Sequence, residues 1–408
     1  MANILLFTAL IDFVVNAIIS NLWLASFLNE GLSLKNAAIT CGLMRLSTAV
    51  FELPTGYLAD RYLGRKNATL LGISFVLISL LVLGLSDDGL ISKIAMVISG
   101  FGITFISGAK QAWIRGIVQN NYPEKLKKLF FEIDIWGRIS TIIGIWTGSY
   151  LLHISKPNAV WLMGAFACFI SILISRKFPG PSNIPIDFNF GSENFEKTNS
   201  WAIYILKPGI FVAMIASMLF GLEDGIRDIV FQPTLMELTN SNTMFIAYQS
   251  TITLGPRILG SYFYKKKLSN NKNPLKYLFI SAVGIAFVEL MIPSINTYST
   301  FAIFWSFAVF MFGIFLPLKD TVLNEMIDYY RADKWRATII SVDSLFCSLM
   351  QALSCITIAN YVTSENAKFY FGYGGVFLFI MGCTYGSIFL LRRESFAPVF
   401  NEKESNHE

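Results

Sequence analysis

Charge is scarce in this sequence: Asp, Glu, Lys and Arg make up 14% of its 408 residues, against roughly a quarter in an ordinary soluble domain. That composition excludes a soluble enzyme. Cysteine is sparse as well. Cys41, Cys168, Cys347, Cys355 and Cys383 all fall inside apolar runs and no Cys-x-x-Cys occurs, so neither a disulfide framework nor a metal cluster is expected. The two histidines, His153 and His407, lie too far apart to suggest a site. No phosphate-binding loop and no nucleophile and base pair is visible, which leaves ATP hydrolysis and catalysis without local support. No catalytic residue, cofactor or metal is therefore expected. Period-two alternation is also missing, which argues against barrel strands. The opening Met-Ala-Asn has no Lys or Arg, and its apolar run lacks a small-residue cleavage site. The first run is expected to remain as a span.

What is present is apolar bulk: 54% hydrophobic residues, 36 Phe and a mean hydropathy of +0.55. A ~30 Å hydrocarbon layer needs about 20 apolar residues in a helix. Twelve segments of that kind can be marked, at 4–28, 37–59, 68–85, 91–118, 130–152, 158–175, 208–236, 243–264, 274–293, 299–323, 337–361 and 370–391. The spacing predicts an all-α polytopic membrane protein, because unpaired backbone groups cannot face lipid.

The cations fix an expected orientation. With a cytoplasmic N-terminus, the cytoplasmic joints hold 21 of the 32 Lys and Arg, and the opposite joints hold only Lys35, Lys93, Lys156 and Lys368. This asymmetry places both termini in the cytoplasm. The net charge of +5 then reports topology and not nucleic-acid binding. One long joint, 176–207, is rich in Pro, Asn, Ser and charge, as a linker would be. The expected organisation is a six-helix bundle over 1–175, a cytoplasmic linker over 176–207, a second bundle over 208–392 and a tail over 393–408. A faint repeat between halves agrees, with Gly56 near the end of the second helix matched by Gly260 near the end of the eighth.

The most informative stretch runs Glu52-Leu53-Pro54-Thr55-Gly56-Tyr57-Leu58-Ala59-Asp60-Arg61-Tyr62-Leu63-Gly64-Arg65-Lys66. Physically, Gly56 permits close helix packing, Asp60 can accept hydrogen bonds from a helix N-terminus, and Arg61, Arg65 and Lys66 suit a cytoplasmic surface. The stretch resembles the loop between the second and third helices of the major facilitator superfamily, with one extra residue before the second Gly. Its Glu-Leu-Pro-Thr-Gly opening is similar to a form found in a bacterial group of drug and small-molecule exporters. Ser107 to Trp113, and Asn324-Glu325 with Arg336 to Ser341, resemble the fourth helix and the tenth-to-eleventh joint of the same group. The resemblance implies two pseudo-symmetric six-helix bundles around a shared crevice, with Gly56, Asp60, Arg61, Gly64, Arg65 and Lys66 as a gate on the cytoplasmic side. The sequence departs in two places: Met96 stands where antiporters carry an Arg, and the fifth helix keeps Gly137, Gly144 and Gly148 without a Gly-Pro pair.

Ionisable groups inside the spans cost at least ~2.5 kcal/mol on insertion scales, so they face a partner or water. Glu223, Asp224, Arg227 and Asp228 crowd three acids around one base at helical spacings, so one acid can carry a proton. Asp12, with Asn16 one turn on, can exchange a proton, bind a cationic group or serve as a packing hydrogen bond. Glu52, beside Pro54, which is expected to kink its helix, can neutralise Arg45 or meet a cargo. Lys110, Arg138 and Arg257 can attract a carboxylate or phosphate, or pair structurally, with Asp343 as a partner for one of them. Lys319 is expected to snorkel or pair.

The reading that unites these residues is a secondary active transporter of the bacterial inner membrane, a monomer that exports an antibacterial or other small amphiphile by alternating access with proton antiport. An importer of an anionic nutrient or peptide is the alternative. A non-transporting receptor or membrane-embedded enzyme is the alternative of another class.

Overall fold

The computed structural model describes residues 2–86, 88–121, 126–178, 204–268, 274–332 and 335–391. Over these residues the chain is helical, in twelve rods: α1 (2–29), α2 (34–63), α3 (Arg65–Leu85), α4 (Gly89–Asn121), α5 (Leu126–His153), α6 (Pro157–Ser175), α7 (Pro208–Leu238), α8 (244–268), α9 (274–294), α10 (Tyr298–Tyr329), α11 (Arg336–Ile358) and α12 (Ala367–Leu391). Eight of them, α1, α3, α4, α6, α7, α9, α10 and α11, contain stretches long and apolar enough to cross a membrane. Large apolar side chains such as Phe166, Leu259, Ile303 and Phe369 point outward. In water that would be unfavourable; in lipid it is the expected outer surface, since hydrocarbon solvates them as a core would.

Helix ends follow local chemistry. Ser33 caps α2 by accepting from Asn36 N at 3.3 Å, and Thr297 caps α10 by accepting from Thr300 N at 3.4 Å. Pro157 and Pro208 occupy first-turn positions, where the missing N–H has no helical partner to lose. Gly64, at φ 72° and ψ 151°, makes the turn from α2 into α3, a conformation that side chains disfavour. Pro54 lies inside the continuous helical segment Leu34–Leu58.

Two compact units form. Over the described residues, the first holds α1 to α6 with residues 242–247 and 359–361, and the second holds the remainder of α7 to α12. Inside the first, α1 packs on α5 and α6, α4 on α2 and α3, and α3 on α6. Inside the second, α7 packs on α11 and α12, α9 on α10 and α12, and α8 meets α10 at Gly260 and Gly313. The pairing scheme of the first six helices thus recurs six helices later. The linker expected at 176–207 lies largely outside the described residues, and the tail at 393–408 lies wholly outside them.

Glycine marks the closest approaches. Gly137, Gly144 and Gly148 of α5 press against Asp12, Ala17 and Leu22 of α1, with no room for a methyl group. Gly221 and Gly225 of α7 meet the backbone of α11 at Cys347 and Gln351, a small-xxx-small contact. Gly56 does not act this way. A Cβ there would meet nothing within 4 Å, whereas its counterpart Gly260 abuts Phe310 O and Gly313. The close-packing role read for Gly56 is corrected: the turn at Gly64 is where this segment needs a glycine.

Candidate functional site

Among the described residues, three groups of ionisable side chains join different helices inside one unit or the other. In the first unit, Lys110 of α4 donates to Asp12 Oδ1 of α1 at 3.0 Å, with 15% and 19% of the two side chains exposed. Gly137 of α5 lies directly against Asp12 Oδ2, and Thr141 Oγ1 donates to the Asp12 carbonyl at 3.4 Å. The aspartate therefore sits where three helices meet, with its charge answered by one lysine.

Asn16 lies one turn after Asp12, in an altered stretch of α1. From Phe13 to Leu22 the helix widens into a π segment, with Ser20 Oγ donating to Val15 O at 2.8 Å and Asn21 Nδ2 to Asn16 O at 2.5 Å, both five residues back. Asn16 is exposed while Asp12 is half-buried. Such π segments are frequent at functional sites.

Arg45 and Glu52 are half-buried on α2. Arg138 pairs with Asp134 one turn earlier, Nε to Oδ2 at 2.9 Å, and both are exposed. Along the gate-like segment, Arg61 Nη1 donates to the Tyr57 hydroxyl at 2.6 Å, and its guanidinium lies over the Tyr57 and Tyr62 rings. Lys66 turns inward: its Nζ donates to Phe178 O at 2.8 Å and stands 6.0 Å from the Trp113 ring centroid. Phe7, Trp113 and Phe178 pack edge to face beneath it, with centroids 5.4–5.8 Å apart. Arg65 is half-buried. The Asp60 side chain lies outside what is described.

In the second unit, Arg227 of α7 is the hub. It ion-pairs with Glu223 Oε1 at 3.3 Å and with Asp224 Oδ1, and its guanidinium lies 4.6 Å from the Phe312 ring centroid of α10. Gln351 of α11 donates to Asp224 Oδ2. Asp228 is half-buried one turn after Asp224. Glu223 is fully buried, and so is Glu289 of α9. Glu289 was no candidate from the sequence, although a lone acid deep in an apolar helix is itself a functional sign.

The third gathering corrects an expectation. Asp343 of α11 partners none of Lys110, Arg138 or Arg257; its Oδ2 lies 3.4 Å from Lys319 Nζ of α10. The same Nζ donates to Ser217 Oγ of α7 at 3.0 Å. Lys319 is 13% exposed, so it pairs inside the unit and does not snorkel. Arg257 is exposed on α8. At the joint between α10 and α11, Arg336 donates to Asn324 Oδ1 at 2.8 Å and ion-pairs with Asp328.

Residues 3–355 match the sequence profile of the Major Facilitator Superfamily, and the chain belongs to that family. Among curated proteins, none matches this sequence. Solved structures agree in fold at low identity. The nucleoside transporter NupG is 15% identical, with 95% of this chain and 98% of that chain covered and a TM-score of 0.71. The peptide transporter POT in complex with sulfate is 13% identical, with 97% and 94% covered and a TM-score of 0.68. A structure described under substrate recognition in proton dependent oligopeptide transporters is 11% identical, with 98% of each chain covered and a TM-score of 0.70.

Proposed function

We propose that this chain is a secondary active transporter that works by alternating access, linking proton binding at membrane-embedded acids to the movement of a small organic solute. The Asp12 and Lys110 pair carries the reading. An ionised group inside a spanning helix costs free energy, about 2.5–3.5 kcal/mol at the centre on insertion scales, so a pair maintained between α1 and α4 needs a reason beyond packing. Both partners are exchangeable: a cargo carboxylate competes for Lys110, and a proton or cargo cation competes for Asp12. A ligand that separates the pair changes the relative stability of two arrangements of the unit, which is what a transport step requires.

In this reading the two halves, 1–175 and 208–392, alternate about the cargo, and Gly56, Asp60, Arg61, Gly64, Arg65 and Lys66 form the cytoplasmic gate. Glu52, Glu223, Asp224 and Asp228 are the further proton candidates, and Asn16, Arg45, Arg138, Arg227, Arg257 and Asp343 the further cargo candidates. The protein is a monomer of the bacterial inner membrane with both termini in the cytoplasm, as the cation asymmetry favours. The resemblance of Glu52 to Gly56 to the exporter form supports outward movement of an antibacterial or other small amphiphile against inward proton flow, with antibiotic resistance as the cellular consequence. The second reading, uptake of an anionic nutrient or peptide, is favoured by the lysines Lys110 and Lys319 and by the nucleoside and peptide transporters of like fold.

Labelled uridine, labelled dialanine and ethidium, each offered to proteoliposomes with an imposed pH gradient, separate the readings. Ethidium leaving the lumen-equivalent of the cytoplasm as protons enter it supports export. Uridine or dialanine accumulating with protons supports uptake. Fluxes equal to those of protein-free vesicles for all three overturn both.

A further inference from the structure

α9 carries one acid, Glu289, in the otherwise apolar second half of Pro274–Met291. Its side chain has no exposed surface, and neither has that of Glu223 on α7. The two side chains converge on one spot of α12, at Gly374. A Cβ at Gly374 of α12 would stand 2.8 Å from Glu289 Oε2 and 3.5 Å from Glu223 Cγ, so bare backbone closes the pair on that side. Among the described residues, no donor gives a hydrogen bond to any of the four carboxyl oxygens; Arg227 Nε, 3.3 Å from Glu223 Oε1, is an ion-pair neighbour.

The charges facing the pair are few. α7 supplies Arg227 and Asp228, α9 adds nothing further, and α12 presents Gly374. On α11, Gln351 is turned to Asp224; on α10, the Phe312 ring covers the Arg227 guanidinium. One guanidinium, already shared with Asp224, therefore stands against two carboxyl groups that face each other away from water. Two carboxylates there repel without solvent to screen them. Two such groups can bond each other only when one of them is an acid, and a single proton would relieve the repulsion.

We propose that Glu223 and Glu289 are a proton-binding site, holding a single proton shared between the two carboxyl groups. The proton belongs to the pair and to neither residue alone. Arg227 competes with it: when the guanidinium turns fully to Glu223 the pair releases its proton, and when the guanidinium turns to Asp224 the pair takes one up. Gln351, bonded to Asp224, ties that exchange to α11. The role of this proton in a transport cycle rests on the proton-linked reading above; its presence does not.

Infrared difference spectroscopy of the full-length protein in lipid vesicles tests the site without any cargo, so its failure is separate from a failure to find transport. Uniform labelling with 13C-carboxyl glutamate identifies the residue type in the wild-type protein. The expected result is a glutamic acid C=O band at neutral pH that shifts with the label, disappears on alkaline titration, and is lost in both Glu223→Gln and Glu289→Gln, where the amide donates to the remaining carboxylate. No labelled acid band in the wild type, or a band that persists in either variant, overturns the proposal. The labelled wild-type spectrum decides the question even if a variant fails to fold.

Discussion

Lys110 and Lys319 hold the same rank in their helices, each 21 residues beyond the first residue of α4 or α10, and each reaches an aspartate within its own unit. The partners are not equivalent. Lys110 meets Asp12 on α1, whereas Lys319 meets Asp343 on α11 and bonds Ser217 on α7. The two units share a helical plan and a lysine depth, and neutralise that lysine from different neighbours.

Replacing Asp12 with Asn leaves Lys110 without its counter-charge between lipid-spanning helices. A loss of about 2–3 kcal/mol is expected, read as a lowered Tm in detergent. Asp12→Asn with Lys110→Met, which removes both charges, is expected to recover most of it. Equal losses for the single and double variants would show that the pair contributes packing and not charge neutralisation.

The glycines of the repeated segments separate by their surroundings. Gly260→Ala pushes a methyl group into Phe310 O and Gly313, with an expected cost of about 1–3 kcal/mol. Gly56→Ala enters open space and is expected to leave Tm unchanged. Gly64→Ala forces a side chain to φ 72°, with an expected cost of about 1–3 kcal/mol. Thermal unfolding of the three variants side by side checks the order.

Lys66 is expected to fasten the end of α6 to α3. Lys66→Met removes the bond to Phe178 O and the charge above Trp113, at about 1 kcal/mol. It should also shift Trp113 emission, because Trp113 is buried and its electrostatic surroundings change. A Trp113→Phe background identifies the signal: a shift that survives there comes from another tryptophan.

The termini carry the orientation. Epitope tags at both ends are expected to resist protease in intact spheroplasts and to be cleaved in inverted vesicles. Opposite behaviour of the two tags would contradict the positive-inside assignment drawn from the 21 cytoplasmic-side cations.

The helices could be read from the sequence because lipid demands a continuous apolar run for each span, and that demand is local. The pairs could not, since which helix faces which depends on packing. Asp343 was matched with three cations and meets a fourth, Lys319. The Glu223 and Arg227 contact was legible, being one turn apart on a single helix. Glu289, 66 residues further along the chain, reaches Glu223 only through the packing of α7, α9 and α12.

The central claim, that this chain couples solute movement to protons, is tested most directly by the internal pH of proteoliposomes loaded with a fluorescent pH indicator. With no imposed gradient, uridine, dialanine or ethidium is added and the indicator is followed. At least one of them is expected to drive an internal pH change that is lost in Glu223→Gln. A solute that crosses faster than into protein-free vesicles while the indicator stays silent would contradict the account.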